Sequence, residues 1–137
     1  APVFICYGNN NRTNMLRIPS PGGRVECRAA DISCNPYLGG AMILAAGLEG
    51  IREQLDPGDP NLVNAYTLTP EQRAERGLKL LPRTLGDAVD AFAADPLSKK
   101  VFGDAMFDAF VTYKRDEWES YHCAVSDWEL NRYLEFF

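Results

Sequence analysis

The run Thr13-Asn14-Met15-Leu16-Arg17-Ile18-Pro19-Ser20-Pro21-Gly22-Gly23-Arg24-Val25-Glu26-Cys27-Arg28 decides the fold. Residues 13–18 and 24–29 read as strands, and the segment between them carries turn chemistry, with φ-locked prolines followed by permissive glycines. The pair predicts a β-hairpin. Working back toward the start, Val3-Phe4-Ile5-Cys6-Tyr7 is β-rich and ends at the loop Gly8-Asn9-Asn10-Asn11, which predicts a buried strand.

Downstream the pattern changes to helices. Asn35 is an N-cap candidate with Pro36 at the first helical position, where a missing N–H costs nothing. The helix should run to about Leu55, before Asp56-Pro57-Gly58. From Tyr37 to Leu48 it is apolar or small on every side, and a helix apolar all round must be buried all round. Residues 56–83 read as a long polar connection with a short helix at Pro70–Arg76. Thr84-Leu85-Gly86-Asp87 is a capping-box variant opening a helix that Asp95-Pro96 ends. A short helix to about Phe102 follows, then one over Ala105–Cys123. Ser126-Asp127-Trp128-Glu129 is a full capping box for a last helix. Strands first and helices after predict an α+β fold.

Of the 137 residues, 46% are apolar and 24% charged, which fits an ordinary globular domain. The net charge of -5 disfavours a nucleic-acid module, and no apolar run approaches the length of a membrane span. Cys6, Cys27, Cys34 and Cys123 form no CxxC pair, so they read as buried reduced thiols of a cytoplasmic protein rather than a zinc site. The chain opens inside an apolar strand with no initiating Met and no signal peptide. That start, and an all-apolar helix in so short a chain, read as a piece of something longer.

Charge is unevenly placed. Residues 1–37 hold Arg12, Arg17, Arg24 and Arg28 against Glu26 and Asp31, whereas the remaining 100 residues hold 10 basic and 17 acidic groups. Arginine's planar fork suits phosphate and carboxylate oxygens, so four arginines in an acidic chain suggest an anionic ligand. Alternate strand residues share a face. Arg24, Glu26 and Arg28 should therefore point one way, with guanidiniums about 7 Å to either side of the carboxylate and with Val25 and Cys27 facing the core. A carboxylate so flanked could ligate a divalent cation while the arginines hold substrate anions. Equally, it could be a ladder that neutralises itself and binds nothing.

These residues resemble a known family. Asn11-Arg12-Thr13, then Leu16-Arg17-Ile18-Pro19, then Arg24-Val25-Glu26-Cys27-Arg28, then Asn35-Pro36-Tyr37-Leu38 are similar to the C-terminal part of the glutamine synthetase catalytic domain. Ala45-Ala46-Gly47-Leu48-Glu49-Gly50-Ile51 continues the likeness, which extends over residues 1–137. The ending, Glu117-Trp118-Glu119-Ser120-Tyr121-His122 with Val125-Ser126-Asp127-Trp128-Glu129, looks most like the branch of type III glutamine synthetases and γ-glutamylmethylamide synthetases.

The resemblance implies an ATP-dependent ligase of glutamine biosynthesis and nitrogen metabolism. It would join the γ-carboxylate of L-glutamate to ammonia or a small amine through a γ-glutamyl phosphate, with Mg2+ or Mn2+ as cofactor. By motif position Arg12 is similar to the catalytic arginine that meets the transferring phosphoryl group of ATP. Arg17 and Arg24 look like further ATP-binding residues, Glu26 like the nucleotide-side metal ligand, and Arg28 like the glutamate-binding arginine. The family also implies a large ring homo-oligomer, and the terminal aromatics Phe136 and Phe137 suit an interface. One feature departs from the pattern: the turn Pro19–Gly23 is short and lacks a lysine that many members carry, which bears on Arg24. Tyr66 falls near a tyrosine that some members modify, but the reading of an ordinary loop tyrosine is favoured. His122 reads as a packing or surface residue. The alternative from a different class is a binding protein that keeps this fold region without catalysis.

Overall fold

Strands β1 (Phe4–Asn9), β2 (Asn14–Ile18), β3 (Glu26–Cys27) and β4 (Lys79–Leu80) form one mixed sheet in the order β3-β2-β1-β4. They belong to a computed structural model describing residues 3–136. The hairpin forms where the sequence places it. β2 and β3 are antiparallel, with Leu16 opposite Cys27 and Arg17 opposite Glu26. Gly22 and Gly23 carry the turn at φ 102° and 80°, values that favour glycine. The second strand is shorter than expected. Only Glu26 and Cys27 join the ladder, so Val25 is 63% exposed instead of facing the core.

The link between β1 and β2 is less ordinary. The two strands are parallel, yet only residues 10–13 connect them, where a parallel pair usually needs a crossover of a dozen or more. Asparagines make the short return feasible. Asn10 takes a left-handed conformation at φ 51°, which asparagine tolerates better than most residues. Asn11 Oδ1 accepts from the Thr13 backbone N–H and hydroxyl, while Asn11 Nδ2 donates to the carbonyls of Asn61 and Val63. Beneath the link, Asn14 and Asn61 are buried and paired: each amide Nδ2 donates to the other residue, one to a carbonyl at 2.9 Å and one to Oδ1 at 2.8 Å. Gly8 lies against both, and a Cβ there would collide with Asn61 O and Asn14 Nδ2. Phe4 is buried on this side, with the Arg73 guanidinium 4.9 Å from its ring centre.

Helix α1 (Pro36–Arg52) starts as expected, with Asn35 Oδ1 accepting from the Tyr37 and Leu38 N–H groups. Its environment differs from expectation: none of its residues is buried, and Leu44 and Ile51 are exposed. The other elements of residues 3–83 supply no cover for it. Helix α2 (Pro70–Glu75) begins with a full Thr69–Gln72 capping box, which explains how six residues in a polar stretch hold a helix.

The chain divides into two units, the first ending at Arg83 and the second beginning at Thr84. The second unit is helical, comprising α3 (Leu85–Ala94), α4 (Pro96–Phe102), α5 (Asp104–His122) and α6 (Asp127–Tyr133). Thr84, Asp95 and Ser126 cap α3, α4 and α6 with their side chains. Phe92 is the hub of its core, with ring centres of Phe102, Phe107 and Phe110 at 5.1–5.8 Å. Gly86 admits the Trp118 indole so closely that a Cβ would stand 2.8 Å from Nε1. His122 stacks on Trp118 at 5.1 Å, in keeping with a packing role.

The α+β class expected from the sequence is therefore the observed one. The buried-thiol expectation holds only in part: Cys6 and Cys27 are half-buried, but Cys34 and Cys123 are exposed, and all four are free. Among the described residues no helix is long and apolar enough to cross a membrane.

Candidate active site

The hairpin register places two arginines on one carboxylate. Arg17 sits directly opposite Glu26 across the β2–β3 pair, and Arg28 lies two residues beyond Glu26. Arg17 Nη1 donates to Glu26 Oε2 at 2.8 Å, and Arg28 Nη1 donates to Oε1 at 2.7 Å. Each carboxylate oxygen thus holds its own guanidinium. The hydrogen bonds from Arg28 and then Arg17 pull the Glu26 carboxyl below its ordinary value, so the group is firmly ionised.

Further contacts tie this cluster to the asparagine link. Arg28 Nε donates to the Arg12 carbonyl at 3.1 Å, fixing the backbone from which the exposed Arg12 side chain projects. Arg17 Nη2 donates to Asn10 Oδ1 at 3.1 Å. Arg12, Arg17, Thr13 and Asn9–Asn11 line an open depression of about 610 Å³, together with Leu62 and Asn64. An open, polar hollow floored by guanidiniums and amides is suited to an anion with several oxygens.

Of the five residues singled out in the sequence, Arg12, Arg17, Glu26 and Arg28 are linked by these bonds. Arg24 is not among them: it is exposed in irregular backbone ahead of β3. The flanking guanidiniums are therefore Arg17 and Arg28, where alternation along one strand predicted Arg24 and Arg28. Strand alternation sees one strand only, and the cross-strand neighbour is set by register. The part played by Asn10 and Asn11 was also missed. The signal was present, since three consecutive asparagines after a glycine mark a link able to take positive φ.

A divalent cation can be tested against these groups. Glu26 is ionised and each of its oxygens keeps a lone pair beyond the arginine bond, so it fits as one oxygen ligand. Among the described residues, however, no three His, Cys, Asp or Glu side chains gather to hold a metal. Among the described residues Glu26 could serve as a ligand to such an ion, but no cluster encloses one there.

Comparison with known proteins completes the description. The family described as glutamine synthetase, catalytic domain, matches residues 1–133. A glutamine synthetase of Archaeoglobus fulgidus is 46% identical over 98% of this chain and 28% of its own length. A glutamate–methylamine ligase of Methyloversatilis universalis is also 46% identical, over the whole chain and 30% of its own length. Among solved structures, one described as a GmaS/ADP complex superposes with a TM-score of 0.85 at 41% identity, covering 98% of this chain and 30% of that one. The chain thus spans less than a third of the length of these relatives.

Proposed function

This chain belongs to the glutamine synthetase catalytic-domain family, and from that premise we propose that it forms the nucleotide-phosphate side of an ATP-dependent glutamate–amine ligase. In the reaction a γ-carboxylate oxygen of L-glutamate attacks the γ-phosphorus of ATP and ADP leaves. The amine nitrogen then attacks the acyl carbon, phosphate leaves, and the nitrogen sheds a proton. Identity is equal to the glutamine synthetase and to the methylamine ligase, so the reading covers ammonia and small primary amines alike.

The observation that carries this reading is the shared carboxylate. Glu26 ties Arg17 and Arg28 to one carboxylate, so that both guanidiniums are gathered where they can meet an anionic substrate. Transferring a phosphoryl group needs positioned positive charge more than it needs covalent chemistry from the protein. We assign Arg12, exposed at the rim of the depression, to the transferring phosphoryl group, and Arg17 and Arg24 to the phosphates of ATP. Arg28 is assigned to the glutamate carboxylate and Glu26 to one metal position. Mg2+ or Mn2+ bound there would supply further screening of phosphate charge. Nucleotide-dependent γ-glutamyl transfer by the full-length protein, with Arg12→Lys lowering kcat, is the test. Arg12→Lys with normal kcat would remove the arginine from the reaction.

Self-association belongs to the same reading. Trp128, Leu134 and Phe136 are exposed on the last described segment, a run of apolar surface suited to a second subunit. Phe137 lies outside the described residues. Deleting residues 134–137 from the full-length protein should shrink its mass by light scattering, and an unchanged assembly would exclude the tail as an interface.

A further inference from the structure

The arginine that bridges the hairpin has a second anchor outside it. Arg17 carries five N–H donors. One Nη1–H is spent on Glu26 and one Nη2–H on Asn10. Nε is buried without a hydrogen-bond partner. Two N–H groups remain for a ligand. Which way they face depends on the plane of the guanidinium, and two anchors on different nitrogens define a plane where Glu26 alone would leave a hinge.

Asn10 is well built for the second anchor. Its backbone is held in the left-handed region at φ 51°, and its N–H donates to the Ile18 carbonyl at 3.0 Å. Its side-chain oxygen accepts twice, from Arg17 Nη2 and from the Ser20 backbone N–H at 2.9 Å. The amide is thus locked by the start of the hairpin turn and in turn locks the arginine. Asn10 lines the same depression as Arg12 and Arg17. We propose that Asn10 is the positioning residue of Arg17, fixing its guanidinium plane so that the two remaining N–H groups meet a phosphate of the bound nucleotide. This rests on the nucleotide-phosphate reading given above.

The test uses the full-length protein and two probes, ADP and adenosine, with Kd measured by calorimetry. Asn10→Gly keeps the backbone conformation and removes the acceptor. It should weaken ADP about three- to tenfold, the range for losing one ordinary hydrogen bond, and leave adenosine within about twofold. A purely structural asparagine would shift both ligands together. A double-mutant cycle with Arg17→Lys completes the experiment, because residues that act through one another are not additive. If Asn10 works through Arg17, Asn10→Gly adds little once Arg17 is lysine. Additive losses, or an ADP affinity untouched by Asn10→Gly, overturn the proposal while leaving the nucleotide reading intact. An ADP affinity untouched by Arg17→Lys overturns the phosphate role of Arg17 and the proposal with it. Should Asn10→Gly fail to fold, Asn10→Asp keeps both the backbone preference and the acceptor. Its charge would compete with phosphate for Arg17, so ADP should again weaken more than adenosine, and equal losses for the two ligands overturn the proposal.

Discussion

The two units of the molecule hold themselves together by different physics. Residues through Arg83 are organised by polar groups: a buried Asn14–Asn61 pair, an asparagine-clamped link, and a carboxylate shared by two arginines. Residues from Thr84 onward are organised by rings, with Phe92 touching three other phenylalanines and Trp118 stacked on His122. Hydrogen bonds fix direction, and apolar packing fixes volume. The phosphate site proposed above would need the first kind, and a scaffold needs the second. Substitutions in the first unit should therefore change function before stability, and those in the second should do the reverse.

The largest break in this contrast should come from Glu26→Ala. It removes the acceptor common to Arg17 and Arg28, leaving two cations without their fixed partner, and deletes the one carboxylate offered to a metal. Turnover of the full-length enzyme should fall by about a hundred- to a thousandfold. Because Glu26 is only partly buried, the melting temperature should move little. Unchanged Mg2+-dependent activity would take Glu26 out of the site, and a collapse in stability would erase the distinction between the units.

Phe92→Ala tests the other side. Removing the hub of the ring cluster should cost about 3 kcal/mol of stability, read as a lower melting transition, with ADP affinity of the folded protein unchanged. Loss of ADP binding without loss of stability would show that the second unit is no mere scaffold. Arg12→Lys gives a smaller, purely kinetic effect. The charge stays but the fork is lost, so kcat should fall about thirtyfold with little change in the KM for ATP. A raised KM with normal kcat would make Arg12 a ground-state binder.

The same division explains what the sequence could and could not disclose. Caps are local, and Asn35, Thr84, Asp95 and Ser126 start their helices where short-range rules place them. The hairpin is legible for the same reason, through its Pro and Gly turn. The Arg17–Glu26 contact is not, because strand alternation says nothing about the neighbour across a ladder. The asparagine run marks a link able to take positive φ, but its anchoring is not legible, since Asn11 donates to carbonyls of Asn61 and Val63 some fifty residues away. Helix α1 shows the converse. Its composition calls for burial on every side, yet none of its residues is buried.

The smallest effect is the pH response of two hydrogen-bonded carboxylates, one in each unit. Glu26 and Glu129 both lie below the ordinary value of 4.5, for different reasons. Glu26 is held down by two guanidiniums, and Glu129 by the N–H and hydroxyl of Ser126 in the α6 capping box, with a smaller contribution from the charge of His122. A carboxyl with a lowered folded-state value contributes stability that is fully present above 4.5 and disappears as pH falls through the lowered value. Glu26→Gln and Glu129→Gln cannot titrate. The gap in melting temperature between the native chain and either variant should thus be widest near neutrality and close as pH drops below 4.5. Salt separates the two. At 1 M the screening length is about 3 Å, so the gap for Glu26→Gln should shrink, whereas a capping hydrogen bond to neutral donors should keep most of the gap for Glu129→Gln. Equal salt sensitivity at both positions would mean that Glu26 is held by hydrogen-bond geometry rather than by charge, and its two arginines would then retain more of their field for a phosphate ligand than an ion-paired cluster allows.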